Sequence, residues 1–405
     1  MTTVHRPGST LFVCNASEVM FPESDGPGVR RIAGHALFIK DGRIAWTGAQ
    51  NDAPEAAKAA PHFDAGGQAV LPALVDCHTH TLFGGDRTED FSRRAQGVTY
   101  SEIAAAGGGI QTTVNATRAT ALETLVARGR THLTHRLHQG IVTTEIKSGY
   151  GLQVDTELRM LDAVDRLKNE GWDLEPTLLA AHAVPRDQDR ASYLHDVVHT
   201  LIPKVAADGR ARFVDVFVEQ GAYTVDEARA VFEAGLRWGL IPKVHADQIT
   251  ESGGSALAAE INAASADHLE RITASDRAAL ARKKVVGVLL PGALVYLGDH
   301  APGLGRQLID AGVEVAVATD FNPGSSPTHN LPLMATLACT LLGLTAEESL
   351  RAITRGAAQA LRRPDIGHFD IGARGRFVVL NASDSRALVA RFGEPTIQDV
   401  VLTEP

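Results

Sequence analysis

The stretch VDCHTHTLFGGDR, residues 75–87, ends an apolar run on two histidines and then breaks into a glycine pair. Side chains alternate along a strand, so His78 and His80 point one way and Thr79 the other. Two imidazoles on one face at the C-terminal end of a strand can both reach one metal ion. Taken alone the pattern is weak, because one packed and one solvated histidine would read the same. Cys77 falls on the opposite side of the strand from the histidines and reads as packing.

Outward from this stretch, the chain after residue 70 alternates apolar strands with amphipathic helices. The strand candidates are AVLPALVDCH, GIVTTEIKS, EPTLLAAHAV, FVDVFVEQG, IPKVHADQ, SADHL, VVGVLLPG and VEVAVATDF. Eight such strands joined by helices predict a (β/α)8 TIM-type barrel. Thr224 with Glu227, and Thr345 with Glu348, have the spacing of helix capping boxes, and Gly239 reads as a helix stop. Before residue 68 and after residue 365 the pattern changes to short strands and turns, with Asp41-Gly42 as a hairpin signal. Neither flank has strands enough to stand alone. The expectation is an α/β protein: a barrel over 68–365, with 1–67 and 366–405 forming a small discontinuous β-sandwich-like domain.

Composition narrows the function. The 405 residues include 39 Lys and Arg against 48 Asp and Glu, a formal charge of −9. That argues against nucleic acid and against anionic membranes as partners. No apolar run approaches the ~20 residues of a membrane helix. The N-terminus lacks a basic segment followed by an apolar one, and the three cysteines (Cys14, Cys77, Cys339) show no paired spacing. A cytoplasmic protein acting on a small molecule is expected.

The predicted barrel then adds weight to the two histidines. The third strand ends in His182, the fifth in His245, the sixth in His268 and the eighth in Asp320. Catalytic groups in such barrels sit at the C-terminal strand ends. His78, His80 and His245 supply neutral nitrogens and Asp320 an oxygen, a donor set for one divalent or trivalent ion, zinc or iron rather than magnesium or calcium. Lys147 lies on the second strand, and one ion per chain is expected.

These residues carry a resemblance. LPALVDCHTH, with a distal aspartate in VAVATDFNPG, resembles the amidohydrolase superfamily of metal-dependent barrel hydrolases. GGDRTEDFSRRAQGVTYSEIAAAGGGIQTTVNATR, TTEIKSGYGL, LLAAHAVP, VHADQ, SADHLE and ATDFNPGSSPTHNLPLMATLAC are similar to its imidazolonepropionase family. The similarity spans about residues 68–365. It implies hydrolysis of 4-imidazolone-5-propanoate to N-formimino-L-glutamate, a step of histidine degradation. It assigns His78, His80, His245 and Asp320 to the metal. It assigns Arg87, Tyr150 and His182 to the substrate with Tyr100 in support, Gln248 near the ring, and Asn322, Gly324 and Ser325 to the loop holding the amino-acid end. His268 is implied in proton transfer or polarisation, and a homodimer is implied although no apolar pattern marks an interface. Two positions depart from the pattern. Ala73 replaces a usual glycine, and Arg376 stands where an acidic residue is common.

The chemistry fits a cyclic amide with a propionate arm. Asp320 is expected to shuttle the proton between water and the leaving nitrogen, with His268 and His182 stabilising the oxyanion or the ring. On spacing alone Arg87 reads as an ion-pair partner of Asp86, Glu89 or Asp90; the resemblance makes it the carboxylate anchor. Tyr150 between two glycines reads as presented by a loop, and Gly107-Gly108-Gly109 as a loop over the site. The rival readings are a metal-dependent deaminase of the same superfamily, which needs no such anchor, and a non-catalytic binder, which has no use for a proton shuttle.

Overall fold

The computed structural model describes residues 2–99, 102–103 and 106–404. All eight expected barrel strands form: β1 (Leu74–Asp76), β2 (Ile141–Lys147), β3 (Asp173–Ala181), β4 (Phe213–Val218), β5 (Ile241–Ala246), β6 (Ser265–His268), β7 (Val286–Leu289) and β8 (Val315–Val317). Each pairs in parallel with its sequence neighbours. The ring closes just past the ends of β8 and β1. There Asp320 N–H donates to the His78 carbonyl at 3.1 Å, and His80 N–H to the Phe321 carbonyl at 2.9 Å. The HTH triplet and the distal aspartate therefore meet at the closing seam.

The helices turn apolar stripes to the strands. In the helix Val154–Asn169, Met160, Leu161, Ala163, Val164 and Leu167 are buried, a spacing of three and four that defines one face. Both expected capping boxes are present, at Thr224/Glu227 and at Thr345/Glu348. The helix Val225–Arg237 is followed by Gly239 at φ 81°, a left-handed conformation that glycine adopts without steric cost.

The two chain ends build a small β-domain of two sheets. One has six strands in the order Thr3–His5, Ile397–Val401, Phe377–Leu380, Val70–Pro72, Glu18–Pro22 and Val29–Ala33. The other has four, Arg43–Ala49, His35–Lys40, Leu11–Cys14 and His62–Asp64. Strands from opposite ends of the sequence pair directly, as in Thr3 opposite Asp399. Asp41 and Gly42 turn the hairpin between His35–Lys40 and Arg43–Ala49, both with positive φ (52° and 70°). Arg376, at the departure noted above, bonds Asp173 at the start of β3 at 2.8 Å and so ties this domain to the barrel.

A cavity of 780 Å³ lies at the N-terminal end of the barrel strands, between the 24–27 turn and Val286, Val315, Arg351 and Arg362. It is at the opposite end from the histidines, where barrels build stability rather than chemistry. Among the described residues no helix is long and apolar enough to cross a membrane.

Candidate metal centre and active site

Five histidines converge at the C-terminal mouth. Ring centroids lie 4.5 Å apart for His78 and His245, 5.4 Å for His78 and His80, and 5.5 Å for His80 and His245. His268 comes within 5.7 Å of His78, and His182 stacks on His80 at 4.9 Å. One nitrogen from each of His78, His80 and His245 falls within 4.8 Å of the others. Asp320 Oδ1 lies 3.5 Å from both His78 Nε2 and His80 Nε2.

These residues fit a metal ion. The buried Nε2 atoms of His78 and His245 have no hydrogen-bond partner among the described residues, although unpartnered buried polar atoms are costly. Three imidazole nitrogens and one carboxylate oxygen suit a borderline cation. The outer edges of two of the ligands face carboxylates. His78 Nδ1 meets Asp267 Oδ2 at 2.6 Å, and His245 Nδ1 meets Asp215 Oδ2 at 3.0 Å. This arrangement fixes ring orientation and leaves Nε2 turned inward.

Beneath the histidines lies a buried charge layer. Glu145, Lys147, Asp215, Lys243 and Asp267 are each 0% exposed. Lys147 Nζ sits 2.7 Å from Asp215 and 3.0 Å from Glu145, with Asp267 at 3.8 Å. Lys243 Nζ lies 3.6 Å from both Glu145 and Asp267 and donates to the Cys77 carbonyl at 3.2 Å. Burial alone would lower the Lys147 pKa, but the three carboxylates outweigh it and raise it. Lys147 is therefore a charged member of this layer.

Asp267 and His268 are consecutive, so strand alternation would send them to opposite faces. Both face the centre because His268 (φ 84°) and Leu269 (φ 75°) take left-handed backbone, a strained choice for these residues. His268 Nδ1 faces Glu270 Oε1 at 3.6 Å. Burial, the largest single effect, would lower the His268 pKa, yet Glu270, Asp320 and Asp267 together outweigh it and the pKa rises. Asp320 also has positive φ (50°), and burial pushes its carboxyl up to about 6 against the pull of His268 and Ser325.

His182 is held differently. Its Nδ1 lies 3.1 Å from the Gly149 carbonyl, an acceptor only, so Nδ1 carries the proton and Nε2 offers a lone pair. Burial, followed by His245, brings its pKa down to about 3. Tyr150 is buried and packs 5.4 Å from His182 and 5.7 Å from His80.

The loop after β8 organises itself around Asn322. Its Oδ1 accepts from the N–H groups of Gly324 and Ser325, both at 2.8 Å, and its Nδ2 donates to the Asp320 carbonyl and Ser325 Oγ, both at 2.7 Å. Ser325 Oγ in turn donates to Asp320 Oδ2 at 3.2 Å. Arg87 approaches from the other side. Its Nε bonds Asp90, and its Nη1 would lie 3.0 Å from a Cβ built at Gly324. Asp90 also accepts from Gly109 N–H at 3.0 Å, so it ties Arg87 to the glycine run. The ion pair expected from spacing is thus present, and it aims the guanidinium at the Gly324 loop.

Gln248, three residues past His245, is half-buried and makes no side-chain hydrogen bond among the described residues. Tyr100 lies outside the described residues. Sequence reasoning missed Asp215, Asp267, Lys243 and Glu270 as parts of the site. For Asp215, Asp267 and Lys243 the available signal was a charged residue inside a strand run, whereas Glu270 lies past the end of β6.

A closed parallel barrel with a three-histidine, one-aspartate cluster at its C-terminal mouth defines a metal-dependent hydrolase. The Amidohydrolase family model matches residues 69–402. The imidazolonepropionase of Myxococcus xanthus (strain DK1622) is 43% identical over 393 residues, 95% of this chain and 93% of that protein. The imidazolonepropionase of Deinococcus deserti is 45% identical over 401 residues, covering 96% and 98%. Among solved structures, a triazine hydrolase variant superposes with a TM-score of 0.75 at 16% identity, covering 97% of this chain and 93% of its own, a likeness of fold. The chain belongs to the amidohydrolase family, and within it to the imidazolonepropionases.

Proposed function

We propose that this enzyme hydrolyses the ring amide of 4-imidazolone-5-propanoate, giving N-formimino-L-glutamate. The observation that carries the reading is Arg87. Its guanidinium stands at the rim of the His/Asp cluster, beside Gly324, where a propionate arm can be gripped. His78, His80, His245 and Asp320 would hold one ion, zinc or iron by donor type. Such an ion, when bound, polarises the substrate carbonyl and lowers the pKa of water.

The protein's own groups supply the rest. Asp320 takes a proton from the attacking water and passes it to the departing ring nitrogen, with Ser325 holding its outer oxygen. His182, with its proton on the Gly149 side, accepts from a ring N–H. His268, backed by Glu270, is the donor that meets charge developing on the carbonyl oxygen. Tyr150 and Gln248 border the ring, and Asn322 and Gly324 shape the loop that receives the amino-acid end. The division of the chain into a hydrolase barrel over 68–365 and a small domain from 1–67 and 366–405 belongs to the same reading, with the strand Val70–Pro72 lent to the small domain's sheet, as does a cytoplasmic location.

The test is loss of the ultraviolet absorbance of freshly generated 4-imidazolone-5-propanoate, with metal analysis on the same sample. Turnover that disappears in Arg87→Ala while metal content holds is the expected result. A fully metallated wild-type protein that leaves this compound untouched, or that releases ammonia in the first turnover, overturns the proposal in favour of another amidohydrolase.

A further inference from the structure

Around the loop Gly149–Leu152 the barrel mouth carries a second arrangement of charge that no metal ligand touches. Glu157, 0% exposed in the first turns of the helix Val154–Asn169, accepts from three backbone N–H groups. These are Gly149 at 2.9 Å, Gly151 at 2.7 Å and Leu152 at 2.8 Å. Arg118 takes the other polarity of the same loop. Its Nε donates to the Gly151 carbonyl at 2.7 Å and its Nη2 to the Leu152 carbonyl at 3.1 Å. Arg118 also reaches Asp187 at 2.7 Å, on the segment that leaves β3 just beyond His182.

The Gly149 carbonyl, which neither charge engages, receives His182 Nδ1. Leu152 is held at φ 50°, a left-handed conformation that a leucine rarely takes, and Gly149 sits at φ 104°, which glycine allows. A Cβ at Gly149 would sit 2.7 Å from the Leu179 carbonyl oxygen and 3.1 Å from His182 Nδ1. Small displacements of this turn therefore bear directly on the His182 ring.

We propose that Glu157 and Arg118 are positioning residues, a two-sided clamp that seats Gly149 and thereby sets the Nδ1–H tautomer of His182 and the placement of Tyr150. The inference deepens the substrate reading above, since only that tautomer presents a lone pair to a ring N–H. It assigns recognition of the ring to a carboxylate and a guanidinium that do not touch the ring.

Glu157→Gln is the direct test, because it keeps the shape and turns one acceptor into a donor facing an N–H. In zinc-loaded protein labelled with 15N-histidine, wild-type His182 should show the Nδ1–H pattern, and Glu157→Gln a shift towards Nε2–H or a mixture. Bound zinc should be unchanged, and KM should rise about tenfold, as for loss of one hydrogen bond to a charged group. Arg118→Met acts from the carbonyl side and should move the same signal, which keeps the test open if Glu157→Gln fails to fold. A His182 tautomer unchanged in the folded variants overturns the proposal. The imidazole signal needs no substrate, so it decides the clamp even if 4-imidazolone-5-propanoate proves not to be turned over.

Discussion

Whether a side chain at the mouth faces the ion depends on a few backbone angles as much as on residue type. His268 follows Asp267 directly, and an extended chain would point them apart. The positive φ of His268 brings both to the centre, where Asp267 steadies His78 and His268 flanks it. The carboxylate–imidazole contact between Asp267 and His78, at 2.6 Å, has a measurable consequence. Asp267→Asn keeps the shape of the side chain and, in the folded protein, should weaken metal binding by about 10–100-fold, read by competition with a chromogenic chelator. A loss of stability should accompany it, because Lys147 and Lys243 also face Asp267. Unaltered affinity would show that the barrel packing alone orients His78.

Elements dock through pairs that sequence does not reveal. The helix Leu122–His138 meets the segment after Asp320 through His132, whose Nδ1 lies 3.3 Å from His329 Nε2, with Phe321 4.9 Å and 4.0 Å from the two rings. Burial, then the charges of His135, Arg136 and Arg128, brings His132 down to about 4. Burial, then Arg136, His132 and His135, brings His329 to about 3. Both folded values lie below the ordinary 6.5, so in acid the unfolded chain takes up protons that the folded one refuses. Stability from this pair is complete above pH ~6.5 and falls as pH drops through ~4 towards ~3. Urea unfolding at a series of pH values should give a shallower acid decline for a His132→Gln/His329→Gln double variant than for wild type. Parallel declines would mean that other groups carry the acid sensitivity.

In the molecule as a whole, the closed ring holds the layer of Glu145, Lys147, Asp215, Lys243 and Asp267, each 0% exposed. Lys147 contacts carboxylates from β2, β4 and β6, so the layer depends on the closed ring. Removing one partner of such a network leaves uncompensated buried charge. Lys147→Met should cost about 3–5 kcal/mol of stability, seen in chemical unfolding of the metal-loaded protein. A loss under 1 kcal/mol would mean that the carboxylates take up protons and the lysine is dispensable.

By itself the sequence determined the elements and the donors. The eight apolar runs, both capping boxes, the Asp41-Gly42 turn and the set His78, His80, His245 and Asp320 are local patterns, set by periodicity, cap chemistry and strand-end position. Only the tertiary structure decided which charges meet. Asp267 reaches His78 across 189 residues of chain, and Lys147 reaches Asp215 across 68. Glu157 and Arg118 close on one loop from two different helices. Such contacts depend on the register of barrel closure and on left-handed backbone at His268 and Asp320. Those are properties of the packed ring, and local propensity argues against them.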